Sequence, residues 1–140
     1  APYLEKFGVE PISTGYVVFS PGGKVGEVGD AELIEPGQEK LVNSYALTAK
    51  MFGFKVLYLE AGSGASSQVD SKSIKSARLV EELCLVVGGG IRTGDQARIA
   101  AEAGANWVVT GTLTEDASSI EELKNKISEI VNAIQSSSSS

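Results

Sequence analysis

Histidine is absent from these 140 residues, and cysteine, methionine and tryptophan occur once each. Without imidazole there is no histidine general base and no zinc site of the usual ligands, and one thiol cannot close a structural disulfide within the chain. No apolar run approaches the ~20 residues that cross a bilayer. Basic residues are also few: 12 Lys and Arg against 18 Asp and Glu give a formal net charge of −6. A nucleic-acid surface needs the opposite sign to displace counterions, so no nucleic-acid partner is expected. The first residues, Ala1 to Lys6, contain neither a basic leader nor an apolar signal core and do not start with Met. The beginning is therefore read as a processing or expression boundary of a soluble, single-domain protein. Cys84 lies within an apolar run and is read as a buried, inert thiol, which fits a reducing cytoplasm.

What the chain does have is glycine, 16 residues of it, placed where apolar segments stop. Tyr58-Leu59-Glu60-Ala61-Gly62-Ser63-Gly64-Ala65 joins a strand to a flexible turn with a carboxylate between them. Leu85-Val86-Val87 runs into Gly88-Gly89-Gly90, and Trp107-Val108-Val109-Thr110 into Gly111-Thr112. Glycine lets backbone N–H groups approach an anion without a Cβ in the way, and a following helix adds the positive end of its dipole. Three such ends in register imply a ligand carrying phosphate. The turns recur roughly every 25 residues, about one βα unit of an eight-unit parallel barrel of ~250 residues. Four units can be read here, which is half a barrel.

The remaining elements follow from periodicity and caps. A short helix from Pro2 to Phe7 precedes a strand from Ser13 to Phe19. The stretch Pro21 to Gly37 has no clear period and is either a lid or a disordered insertion. Leu41, Tyr45, Ala49 and Phe52 mark a helix face ended by Gly53, and Lys55 to Glu60 is the second strand. Ile74, Ala77 and Val80 mark a helix capped by Asp70 or Ser71. Thr93 with Gln96 caps a helix whose buried face is Ala97, Ala100 and Ala101. Ser118 with Glu121 caps the last helix, with Leu123, Ile127, Ile130 and Ile134 as its apolar stripe. Residues 1–135 thus form one α/β unit of four parallel βα repeats, and 136–140 a low-complexity serine tail. Four parallel strands leave two open edges, so a missing N-terminal half-barrel or a second copy is expected to cover them.

Taken together, the segments Tyr58 to Ala65, Val87-Gly88-Gly89-Gly90-Ile91-Arg92, Gly104-Ala105 and Val109-Thr110-Gly111-Thr112 resemble geranylgeranylglyceryl phosphate synthases, and Tyr45 to Lys50 before Phe52-Gly53 fits the same pattern. The resemblance covers nearly all of the chain to about Glu115. It implies the C-terminal half of a TIM (β/α)8 barrel and transfer of a prenyl group from geranylgeranyl diphosphate to the 3-hydroxyl of sn-glycerol 1-phosphate in archaeal ether-lipid synthesis. It also implies a glycerol phosphate site made of Tyr58, Leu59, Glu60, Ala61, Gly62, Ser63, Gly64, Gly89, Gly90, Gly111 and Thr112. The family's Mg²⁺ ligands belong to the first half of its barrel and have no counterpart here.

In chemical terms, backbone N–H groups of Ser63, Gly64, Gly89, Gly90, Gly111 and Thr112 could surround a phosphate, with the hydroxyls of Ser63 and Thr112 beside them. Glu60, at the C-terminal end of its strand, can accept a hydrogen bond from a glycerol hydroxyl and take its proton; the alternative is an ion pair with Arg92 or a lysine. Tyr58 points to the same side, as a donor to the site or as a core residue. Arg92 either steers phosphate or begins a helix in solvent, and Trp107 is expected to pack outward against the helices. Two other functions compete with prenyl transfer: a phosphosugar isomerase or synthase of the phosphate-binding barrel group, and a half-barrel module that holds phosphate without turnover.

Overall fold

The computed structural model describes residues 2–137. After helix α1 (Pro2–Lys6), the elements are β1 (Thr14–Val18), α2 (Gly23–Val28), α3 (Glu39–Met51), β2 (Val56–Glu60), α4 (Ser71–Arg78), β3 (Cys84–Gly88), α5 (Gly94–Glu102), β4 (Trp107–Val109), α6 (Thr112–Glu115) and α7 (Ile120–Ser137). The four strands form one parallel sheet in the order β1-β2-β3-β4. Parallel neighbours require crossovers long enough for helices, and each connection supplies at least one.

Strand alternation divides the sheet into two unlike faces. Leu57, Leu59, Leu85 and Val87 point into a core shared with Val42, Ala46, Ile74, Ala77, Ala97 and Ala100 of the crossover helices. The other face carries, in register, Tyr16, Tyr58, Val86 and Trp107, and one step further Val18, Glu60, Gly88 and Val109. No described helix covers this second face at β4, where Trp107 is 64% exposed. Trp107 therefore does not pack outward against the helices: its register with Val86 places it in the row of Tyr58.

Three other expectations are corrected by packing. In α3 the buried residues are Val42, Ala46 and Ala49, while Phe52 is 74% exposed and Leu41 lies at the surface. Small side chains let the helix approach the sheet; of the bulkier residues, Tyr45 packs at the margin of the core while Leu41 and Phe52 turn outward. Of the two readings of the stretch from Pro21 to Gly37, the disordered insertion is the one corrected: the stretch contains α2, and Ile34 enters the core while bridging to Phe19. Helix α7 begins at Ile120, so Ser119 is its cap; its hydroxyl accepts from the Glu122 N–H, and Glu122 in turn accepts from Ser118. This moves the cap one residue past the Ser118–Glu121 pair.

Of the α7 stripe, Ile130 is buried and Leu123 and Ile134 pack on the core, but Ile127 is exposed. The helix lies on α5, where Gly94 donates to Glu129 Oε1 at 2.8 Å and a Cβ on Gly94 would lie 3.1 Å from Ala133 Cβ. Ser136 and Ser137 of the serine tail belong to α7, and 138–140 lie outside the described residues. Cys84 is partly rather than fully buried.

Candidate functional site

The C-terminal ends of β2, β3 and β4 open into one cleft with about 410 Å³ of empty space. Tyr58, Glu60, Ser63, Gly89, Gly90, Gly111 and Thr112 line it, joined by Ile91, Val109 and Thr110. The sequence-predicted turns are thus brought together at one end of the sheet. The other candidates are near but face elsewhere: Leu59 and Ala61 are buried in the core, and Gly64 is not a lining residue. The N–H of Gly62 is already used, donating to Glu60 Oε1 at 2.6 Å.

The turns touch one another through bare backbone. Gly62 has φ 102° and a Cβ there would lie 2.7 Å from the Gly22 carbonyl carbon. Gly89 has φ 83°, and a Cβ there would stand 2.5 Å from Glu60 Oε1 and 2.7 Å from the Gly62 nitrogen. Only glycine satisfies both the left-handed backbone and the contact. Gly111 differs. Its φ is −106° and nothing lies within 4 Å of a Cβ, so neither backbone nor neighbours account for glycine at this position.

Electrostatically the cleft has two poles. At the turns, the backbone N–H groups of Ser63, Gly64, Gly89, Gly90, Gly111 and Thr112 have no hydrogen-bond acceptor among the described residues. Unpaired amides of this kind seek water or a ligand anion. At the other pole stands Glu60, 8% exposed and without an ion-pair partner among the described residues. Arg92 does not approach it, since its guanidinium donates to the Ala65 carbonyl at 2.7 Å and braces the turn after β2. Neither half of the ion-pair alternative for Glu60 is found among the described residues: Arg92 is engaged at Ala65, and no lysine pairs with the carboxylate.

Two tyrosines attend the carboxylate. The Tyr16 hydroxyl donates to Glu60 Oε2 at 3.1 Å, and the Tyr16 and Tyr58 rings stack at 4.7 Å. Burial, and then the neighbouring Glu60 charge, push the Tyr58 phenol up to about 12. The same causes raise Tyr16. Both phenols stay protonated near neutrality and act as donors. Sequence reasoning missed Tyr16; the available signal was that it occupies the third place of β1, as Tyr58 does of β2.

Among the described residues no three His, Cys, Asp or Glu side chains gather as a metal-binding group. Nor is any helix of those residues long and apolar enough to cross a membrane.

Residues 2–134 match the model of the PcrB family. The chain is 44% identical over 132 residues to the geranylgeranylglyceryl phosphate synthase of Thermococcus gammatolerans, covering 94% of this chain and 52% of that protein. It is 43% identical over 136 residues to the synthase of Methanococcoides burtonii, covering 96% and 54%. It superposes with a TM-score of 0.91, at 39% identity, on the (S)-3-O-geranylgeranylglyceryl phosphate synthase of Thermoplasma acidophilum, which was crystallised with its substrate sn-glycerol-1-phosphate. That superposition covers 97% of this chain and 54% of the other. The chain spans about half the length of the curated relatives it matches.

Proposed function

The chain belongs to the PcrB family, and on that premise we propose that it supplies the glycerol phosphate half of a prenyltransferase acting on sn-glycerol 1-phosphate. The observation that carries this reading is the two-pole cleft: unpartnered amides of three glycine turns at one end, an uncompensated carboxylate at the other. A phosphate fits the first pole and an alcohol the second. Glycerol phosphate has both groups.

In this reading the phosphate lies against the N–H groups of Ser63, Gly89, Gly90, Gly111 and Thr112, with the Ser63 and Thr112 hydroxyls as further donors. The 3-hydroxyl of the glycerol points to Glu60. As its oxygen forms a bond to the first carbon of the prenyl chain, the carbon–oxygen bond to diphosphate breaks and Glu60 receives the hydroxyl proton. Tyr58, protonated and in the cleft wall, donates to the carboxylate or to the glycerol. The prenyl donor is geranylgeranyl diphosphate, as the resemblance implies.

The resemblance also implies Mg²⁺, which would neutralise a diphosphate leaving group. The described residues offer no set of ligands for it, so no step here is routed through the ion. A further part of the barrel, from the same protein or another chain, would supply the metal site and cover the face that carries Tyr16 and Trp107. A cytoplasmic setting suits the free thiol of Cys84.

The test is titration of sn-glycerol 1-phosphate into the complete protein and its Ser63→Ala and Gly111→Ala variants. Loss of one neutral hydrogen bond should cost Ser63→Ala about 1 kcal/mol, or roughly fivefold in affinity. Affinities unchanged in both variants would remove the phosphate from this cleft.

A further inference from the structure

We propose that Tyr16, on β1 and outside the cleft, is a positioning residue for Glu60: its hydroxyl fixes the plane of the carboxylate so that a free lone pair faces the glycerol hydroxyl. The inference rests on the reading of Glu60 given above.

A glutamate carboxylate turns freely unless it is held. Its terminal torsion is broad and roughly two-fold, so one hydrogen bond leaves the carboxylate plane loosely set. In this structure both oxygens are held, and from different elements. The Gly62 N–H in the turn after β2 takes Oε1 at 2.6 Å, and the Tyr16 hydroxyl on the neighbouring strand takes Oε2 at 3.1 Å. Each oxygen keeps a second lone pair, which leaves acceptor capacity for substrate.

Tyr16 reaches Glu60 without lining the cleft, whereas Tyr58 lines it and can touch substrate itself. Parallel register sets the distance: Tyr16 is opposite Tyr58, and Val18 opposite Glu60, so the Tyr16 side chain crosses diagonally to the next strand's end. The ring is held by its stack on Tyr58, with planes inclined by 17°. From β3, the residue in register with Glu60 is Gly88, where a Cβ would collide with the Tyr58 hydroxyl. Bare backbone at Gly88 thus leaves room for the Tyr58 phenol, on which the Tyr16 ring stacks. Both phenols feel the Glu60 charge, one from β1 and one from β2.

Tyr16→Phe keeps the ring and its stack and removes only the hydroxyl. In the complete protein it should lower kcat roughly tenfold or more while the KM for sn-glycerol 1-phosphate stays within about twofold, the pattern of a group acting in the transition state alone. The deciding comparison is a double-mutant cycle. If Tyr16 acts through Glu60, Tyr16→Phe should cost less than about twofold in the Glu60→Gln background. The same fold loss in both backgrounds, or an unchanged kcat, would overturn the inference. A separate arm needs no turnover: in protein with ¹³C-labelled tyrosine, Glu60→Gln should lower the ionisation midpoint of Tyr16, and an unmoved midpoint would deny the contact. If Glu60→Gln itself kept full turnover, the assignment of Glu60 as base would fail and this inference with it. An additive cycle with a strongly impaired but measurable Glu60→Gln would remove Tyr16 alone.

Discussion

Gly62 donates its N–H to Glu60 Oε1 at 2.6 Å, so the carboxylate that ends β2 is tied to the turn that follows it. This closure depends on a backbone with φ 102° pressed against Gly22. Alanine at the position would combine a strained dihedral with an overlap on backbone. Gly62→Ala should destabilise the fold by about 1–3 kcal/mol, read as a lower denaturant midpoint. A midpoint equal to wild type would show that the turn relaxes without cost.

Gly111→Ala should behave in the opposite way. Its φ of −106° is open to any residue and a Cβ would meet nothing within 4 Å. Stability should change by no more than about 0.5 kcal/mol, while affinity for sn-glycerol 1-phosphate falls because the methyl occupies the approach to the turn. Thermal denaturation and calorimetric titration of the same variant separate the two effects.

The Asp70 cap of α4 offers a test of the fold away from the site. Its Oδ1 accepts from the Lys72 and Ser73 N–H groups at 3.0 Å, and Oδ2 accepts from the buried Ser73 hydroxyl at 2.7 Å. Asp70→Ala should cost about 1–2 kcal/mol, since it removes a cap and strands a buried hydroxyl. Adding Ser73→Ala should cost less than in the wild-type background, as chemical denaturation of the double variant will show.

Alkaline pH should weaken the fold through the tyrosine pair. Tyr58 is raised from its ordinary 10.0 to about 12, and Tyr16 is raised as well. Between those values the folded state retains protons that the unfolded chain gives up, so stability is full below pH ~10 and declines as pH rises towards ~12. Tyr16→Phe combined with Tyr58→Phe should flatten this decline. Denaturation midpoints measured at intervals from pH 9 to 12 decide it.

The sequence made the order of the four strands and of the helices other than α2 and α6 legible, because glycine turns, the Asp70 cap and the Thr93–Gln96 capping box are local signals that survive folding; of Asp70 and Ser71 the structure selects Asp70, and the Thr93–Gln96 box forms as read. It also showed which turns meet, since units of equal length return each strand to the same end. The α3 face was not legible. Leu41-Tyr45-Ala49-Phe52 and Val42-Ala46-Ala49 are both helical stripes, and only the close approach of helix to sheet selects the smaller one. The face of Trp107 depends on strand register, where a one-residue shift exchanges the two sides. The Tyr16–Glu60 contact joins residues 44 positions apart, and nothing within either strand announces it. Ile34 was lost for a related reason: its strand-like bridge to Phe19 is a tertiary feature within a stretch of irregular period.

Glu60 is proposed to take the proton from a glycerol hydroxyl whose phosphate is held at the glycine turns. Glu60→Gln keeps the size of the side chain and one acceptor but removes the charge that favours a deprotonating hydroxyl. The most direct measurement sets sn-glycerol 1-phosphate affinity beside the rate of prenyl transfer for this variant in the complete protein, with Mg²⁺ and geranylgeranyl diphosphate supplied. General-base catalysis contributes roughly 10²–10⁴-fold, so turnover should fall by about that range while affinity changes by only a few-fold. Near-normal turnover in Glu60→Gln would contradict the account and make Glu60 a residue that shapes the turn.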